Sequence, residues 1–171
     1  MEFEDIKSTK ALFNYIDNYI EYGFVTQSNK RVIKKESYPF YYTEQLLRNY
    51  KLQSPEEVLE SKCGICYDQN ELAKYWLKKQ NYNVKTYYSI IRNHSLLVYV
   101  DNNGYNWFEL TLPVGKGIHS FNSLDELFEF YLFTEDIDKK SDIYEYEITK
   151  YGLDYYNLIN EVKNSKLVLK K

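Results

Sequence analysis

The hydrophobic period of the sequence changes near residue 80, and that change constrains the fold more than any other feature. Up to about residue 80 the apolar residues recur at helical spacing, and from residue 84 to 112 they alternate. Leu72, Ala73, Trp76 and Leu77 put an apolar stripe on one face of a helix over residues 67–80, which Asn81 ends. Residues 84–91, rich in Val, Thr, Tyr and Ile, read as a strand, and further strands follow over 95–100 and 105–112. Asp101-Asn102-Asn103-Gly104 between the last two is a hairpin signal. Helices first and an antiparallel meander afterwards predict an α+β fold, with the helix of residues 67–80 packed on the sheet.

The flanking segments carry their own punctuation. Leu12, Ile16, Tyr19 and Ile20 predict a helix over 9–22, capped by Ser8 and terminated by Gly23. Residues 27–37, with Lys30, Arg31, Lys34 and Lys35, read as a solvated loop. A short helix is expected over 43–50. In Ser54-Pro55-Glu56-Glu57 the Ser caps, Pro takes the first helical position and Glu57 closes a capping box, for a helix ending near Lys62. Ser123 and Glu126 form a second capping box, for a helix over 123–133. A strand over 143–149, a helix over 153–162 and a frayed basic tail complete the reading. No repeat, low-complexity tract or linker appears, so residues 1–171 are expected to form one domain.

Composition excludes several classes. Aromatics are 18% of residues, too many for a disordered chain. There are 22 Lys+Arg against 25 Asp+Glu, so the basic excess of a nucleic-acid binder is missing. No apolar run approaches the roughly 20 residues of a membrane helix. The acidic start, Met-Glu-Phe-Glu-Asp, lacks the pattern of a secretory signal, and a cytoplasmic protein is expected. Two cysteines, Cys63 and Cys66, do not make a secreted disulfide framework.

Chemistry points first to Cys66. It sits at the start of a helix, where free N–H groups and the macrodipole favour an anion and activate a thiol. The alternative is a buried structural cysteine. A nucleophilic thiol needs an imidazole and a group to orient it. The chain has two histidines, and His94 opens the strand of residues 95–100. If the hairpin pairs Val100 with Tyr105, Glu109 lies opposite Leu96 and diagonal to His94, within side-chain reach. A tighter Asn103-Gly104 turn pairs Glu109 with Val98 and makes that contact too long. An odd-length loop puts Glu109 on the other face. Glu109 sits in the apolar run Trp107-Phe108-Glu109-Leu110, where a buried acid needs a partner and a surface-facing one does not.

Gly64-Ile65-Cys66-Tyr67-Asp68-Gln69, then Asn93-His94-Ser95, then Trp107-Phe108-Glu109-Leu110-Thr111 resembles the transglutaminase-like, papain-like superfamily of cysteine enzymes. The nearest likeness is to small bacterial and phage transglutaminase-like proteins. Leu52-Gln53-Ser54-Pro55, Lys85-Thr86 and Gly117-Ile118-His119 extend it over residues 50–133. The resemblance implies a transglutaminase-like core there, with the N-terminal helix and C-terminal strand and helix packed onto it. It implies Cys66 as nucleophile, His94 as general base and acid, and Glu109 as orienting carboxylate. The reaction implied is acyl transfer through a thioester, ending in hydrolysis, deamidation or transamidation of a protein or peptide amide, with no cofactor and no metal. Glu109 stands where the wider superfamily usually has Asp, Leu110 where Pro is frequent, and Ser95-Leu96 where aromatic residues are frequent.

Oxyanion donors are expected from the Cys66 N–H or the side-chain amide of Gln53 or Gln69. Gln53 has the alternative role of a turn residue. His119, in a loop before a helix, reads as a packing or substrate-loop residue. Other functions fit parts of the pattern. Cys63 and Cys66 have the spacing of a redox dithiol. Cys63, Cys66, His94 and His119 would make a zinc site if folding brought them together. A Tyr-rich surface also suits a non-catalytic protein-interaction module on the same fold.

Overall fold

A computed structural model describes residues 2–90, 92–134 and 142–169. Ser8 Oγ accepts the Ala11 N–H at 3.1 Å and starts α1 (Thr9–Tyr19), which buries Leu12, Phe13, Tyr15 and Ile16. The helix stops three residues before the expected end because residue 21 already belongs to β1 (Glu21–Thr26). Gly23 lies inside that strand, not at a helix end. A Cβ there would stand 2.5 Å from the Val32 carbonyl oxygen, so Gly is what lets β2 (Arg31–Ile33) pair so closely. The basic stretch is therefore not a loop throughout: Val32 and Ile33 are buried, and Lys34–Glu36 form a short 3-10 turn.

α2 (Pro39–Asn49) begins earlier than expected, with Pro39 at its first position, and β3 (Tyr50–Lys51) pairs with β1. α3 (Pro55–Ser61) starts on the expected capping box: Glu57 N–H donates to Ser54 Oγ at 3.3 Å, and Ser54 N–H to Glu57 Oε2 at 2.9 Å. β4 (Cys63–Gly64) runs parallel to β1 and delivers the chain to α4 (Cys66–Lys79).

The second half forms β5 (Asn83–Ser89), β6 (His94–Asp101), β7 (Gly104–Glu109), β8 (Gly117–Phe121), α5 (Leu124–Thr134), β9 (Ile143–Tyr146), α6 (Tyr155–Lys163) and β10 (Lys166–Leu169). Its sheet has the order β10-β9-β5-β6-β7-β8, with every neighbouring pair antiparallel. Val100 pairs with Tyr105 and Leu97 with Phe108, which leaves Asn102-Asn103 as a two-residue turn. β7 ends at Glu109 instead of residue 112, and β9 at Tyr146 instead of residue 149. β8 and β10 were not expected. The tail that read as frayed pairs with β9 over residues 166–169. Position 91, the expected end of a strand, and positions 170–171 of the tail lie outside the described residues.

The molecule is α+β, with the cysteine-bearing α4 packed on one face of the six-stranded sheet. Leu72, Ala73, Trp76 and Leu77 of α4 and Phe13 and Ile16 of α1 bury against Leu97, Tyr99 and Phe108. Residues of opposite pleat, Tyr87, Leu96, Val98 and Trp107, meet Leu127, Phe128 and Tyr131 of α5. A third cluster, with Phe24, Tyr42, Tyr50, Tyr67, Leu158 and Val162, closes around the N-terminal end of α4. Each fully buried large side chain is worth about 1.5–3 kcal/mol relative to exposure. Among the described residues no helix is long and apolar enough to cross a membrane.

Candidate active site

Cys66 is the first residue of α4, so its backbone N–H has no acceptor within the helix. Two features hold this helix start in place. Gly64 leaves no room for a side chain, since a Cβ there would stand 2.7 Å from Asp68 Cβ. Asp68 is fully buried and reaches back. Its Oδ2 accepts the Ile65 N–H at 3.0 Å, and its Oδ1 accepts the Gln53 N–H at 2.9 Å and the Tyr50 hydroxyl at 3.0 Å. Burial outweighs these donors and pushes the Asp68 carboxyl up to about 7.

His94 is the first residue of β6, and Glu109 is the last of β7. The ring nitrogen Nε2 of His94 lies 2.9 Å from Glu109 Oε2, both side chains being buried. Glu109 Oε1 accepts the N–H groups of Thr111 and Leu112 at 2.8 and 2.9 Å and the Thr111 hydroxyl at 3.1 Å. Burial opposes charge on both groups, yet the pairing wins. It holds the Glu109 carboxyl below the usual range, and Glu109 together with the neighbouring Cys66 side chain pushes the His94 imidazole up to about 10. With Nε2 on Glu109, Nδ1 is the nitrogen left for the Cys66 thiol. The Tyr131 ring stacks on the imidazole at 6.4 Å between centroids.

Cys66, Gln69 and His94 line one cleft of about 710 Å³. Its walls are Ile20, Glu21 and Tyr22 from the start of β1 and the chain just before it, Lys34 and Lys35 from the 3-10 turn, Asn93, and residues 110–113 beyond β7. Lys35 pairs with Glu21 and Lys116 with Asp17 across the mouth, each at 2.5 Å. The Tyr22 phenol is held protonated by burial and then by the nearby Cys66, so it is an O–H donor within electrostatic range of the thiol. Position 22 read as the end of a helix, and only the strand pairing reveals its place.

The structure brings Cys66, His94 and Glu109 together, keeps Gln69 in the same cleft, and places Gln53, His119 and Cys63 outside it. Gln53 does not line the cleft: its Nε2 donates to the Cys63 carbonyl at 2.9 Å, and its Oε1 accepts the Ser61 hydroxyl at 2.7 Å. Its amide ties β4 to α3 and is turned away from the cleft. Gln69 does line the cleft, with Nε2 donating to the Gly64 carbonyl at 2.9 Å and one N–H to spare. His119 lies on β8 beside Trp107 and bonds the Gly115 carbonyl at 2.7 Å. Cys63 packs against Val25 and Ile33, and burial pushes its thiol up. Both thiols are free. Among the described residues no three His, Cys, Asp or Glu side chains converge as metal ligands, so Cys63, Cys66, His94 and His119 do not form a zinc cluster.

Asn93 is a site residue that sequence reasoning missed. It adopts a left-handed conformation, φ 49°, directly before His94. Its Oδ1 accepts the Tyr88 hydroxyl at 2.9 Å, and its Nδ2 donates to the Tyr155 hydroxyl. Asn tolerates this conformation better than other non-glycine residues, which is the one local signal it offered.

No protein-family model matches the chain, and a search of curated proteins found no similar sequence.

Proposed function

We propose that the chain is a cysteine enzyme of acyl transfer with a transglutaminase-like core, acting on an amide of a protein or peptide. The observation that carries this reading is the buried His94–Glu109 bond beside Cys66 at a helix start, on the floor of an open cleft. In the first half-reaction the thiol proton rests on His94 Nδ1 as imidazolium, and the Cys66 thiolate adds to the amide carbonyl. A C–S bond forms and the carbonyl pair moves onto oxygen. The donors available to that oxyanion are the Cys66 N–H, the Tyr22 hydroxyl and the spare N–H of Gln69. The C–N bond then breaks, and the amine leaves with the imidazolium proton. In the second half-reaction water or an amine adds to the thioester, His94 takes its proton, and Cys66 departs as thiolate. Glu109 stabilises the imidazolium in both halves.

The test is iodoacetamide alkylation followed against pH, mapped to Cys63 and Cys66 separately, in the native chain and in His94→Ala. Cys66 is expected to react near pH 6.5 about ten-fold faster than Cys63, and to lose that advantage without His94. A Cys66 that titrates near the ordinary thiol value of about 8.5, with or without His94, overturns the proposal. The interaction-module reading would then lead.

A further inference from the structure

A second recess adjoins the Cys66 cleft. It has a volume of about 520 Å³ and is lined by Leu47 of α2, Tyr88, Ile90 and Asn93 before β6, and Tyr155, Tyr156, Ile159 and Lys163 of α6. Asn93 lines both recesses. The Tyr88 hydroxyl donates to Asn93 and Asn93 donates to the Tyr155 hydroxyl, so the residue that divides the recesses is tied to the second one. Cys66 packs in the same buried cluster as Tyr88, and Tyr155 packs against that cluster.

The two recesses differ in character. The Cys66 cleft is rimmed by charges, whereas the second is aromatic and aliphatic, with Lys163 the one charged side chain among the described residues that line it. Its lip leaves large apolar side chains in water: Leu47 is 57% exposed, Ile90 40% and Tyr156 72%. Phe40, seven residues before Leu47 on the same face of α2, is 82% exposed and continues the strip. Apolar surface grouped in this way marks a binding site more often than solvated surface. One small molecule fills a site of roughly 300–1,000 Å³. Filling both recesses across Asn93 takes a longer ligand, and an extended polypeptide is the one consistent with an amide reacting at Cys66.

We propose that the α2–α6 recess is a specificity subsite for a polypeptide substrate, taking a bulky apolar side chain a few residues from the amide that reacts at Cys66. Lys163 at its edge favours an acidic residue beside that side chain over a basic one. The proposal rests on the acyl-transfer reading for the chemistry at Cys66, but its binding test does not need turnover.

The probes are fluorescein-labelled eleven-residue peptides with a central Gln and one Asp, in which a single Phe is moved through an otherwise Ser/Ala sequence on both sides of the Gln. Binding is read by fluorescence anisotropy on the full chain carrying Cys66→Ala. Phe at one position is expected to tighten Kd about ten-fold over Ala, the least that burying a large apolar side chain should give. Leu47→Asp and Tyr156→Asp, both at exposed positions, are expected to abolish that gain. In the native chain the same peptide is expected to slow iodoacetamide alkylation of Cys66 by about five-fold or more through occupancy.

No Phe preference at any position, or a preference that survives both substitutions, overturns the subsite. A peptide that binds but leaves Cys66 alkylation unchanged makes the recess a separate docking surface and also overturns it. A Leu47-dependent dimer in sedimentation equilibrium without peptide assigns the recess to a second copy. The acyl-transfer reading fails by a different result, alkylation of Cys66 that ignores His94.

Discussion

Glu109 holds His94 with one carboxylate oxygen and the chain beyond β7 with the other. Oε2 lies 2.9 Å from the imidazole Nε2, while Oε1 takes the N–H groups of Thr111 and Leu112. The same residue that orients the ring ends the strand and turns residues 110–113 into a wall of the Cys66 cleft. A buried carboxylate with this many donors stays ionised despite its burial, which is what an imidazolium partner requires.

Glu109→Gln keeps an oxygen for the backbone donors but turns an NH₂ toward Nε2. That favours the tautomer with its proton on Nδ1, which cannot accept a thiol proton. Alkylation of Cys66 at pH 7 is expected to fall about ten-fold or more, with the circular dichroism spectrum unchanged. An unaltered rate would show that Glu109 acts only on the backbone.

The pair also makes stability depend on pH. The contribution of His94, whose folded value is raised from 6.5 to about 10, is complete below 6.5 and fades as pH climbs toward 10. The contribution of Glu109, whose folded value is lowered from 4.5, is complete above 4.5 and fades as pH falls. Asp68 works the other way, losing stability as pH rises from 3.8 to about 7. Subtraction of the Glu109→Gln chain from the native chain cancels Asp68. Urea unfolding should therefore show the largest difference between pH 4.5 and 6.5. That difference should be about 1.5–3 kcal/mol and shrink toward pH 10. A difference that grows with pH above 6.5 would contradict the pairing.

Gly64→Ala puts a methyl group 2.7 Å from Asp68 Cβ, at the point where Asp68 holds the start of α4. Overpacking of this kind costs about 1–3 kcal/mol. The displaced helix start should lower Cys66 alkylation by more than the loss of stability explains. Urea titration and alkylation measured together separate the two effects.

Asn93→Ala removes the acceptor for Tyr88 and the donor to Tyr155 and puts an alanine in a left-handed conformation. The conformational part is about 1–2 kcal/mol. Asn93→Gly removes that strain but not the lost bonds, so its thermal midpoint should fall between Ala and native. Equal midpoints for Ala and Gly would mean that the backbone strain is not felt.

Cys63→Ser should leave the alkylation rate of Cys66 within about two-fold, because Cys63 packs with Val25 and Ile33 and does not line the cleft. Cys66 alkylation that needs a reductant in the native chain but not in Cys63→Ser would support the dithiol reading instead.

The sequence determined whatever acts over a few residues. Ser8 and the Ser54–Glu57 box start their helices through bonds to N–H groups three positions on. The two-residue turn at Asn102-Asn103 fixes the register of β6 and β7, and with it the approach of His94 to Glu109. The sequence limited the hairpin to a few registers, one of which brings the two side chains together, and the fold selected that one. Only the tertiary structure decided the rest. β2, β3, β4 and β10 are two to four residues long, too short to carry a period, and their hydrogen bonds go to partners supplied by distant parts of the chain. β1 draws Tyr22 out of an apparent helix and into the wall of the Cys66 cleft, and folding spends the Gln53 amide on Cys63 and Ser61. Long-range pairing draws its free energy from contacts that exist only once the chain has closed on itself, so no local pattern announces it.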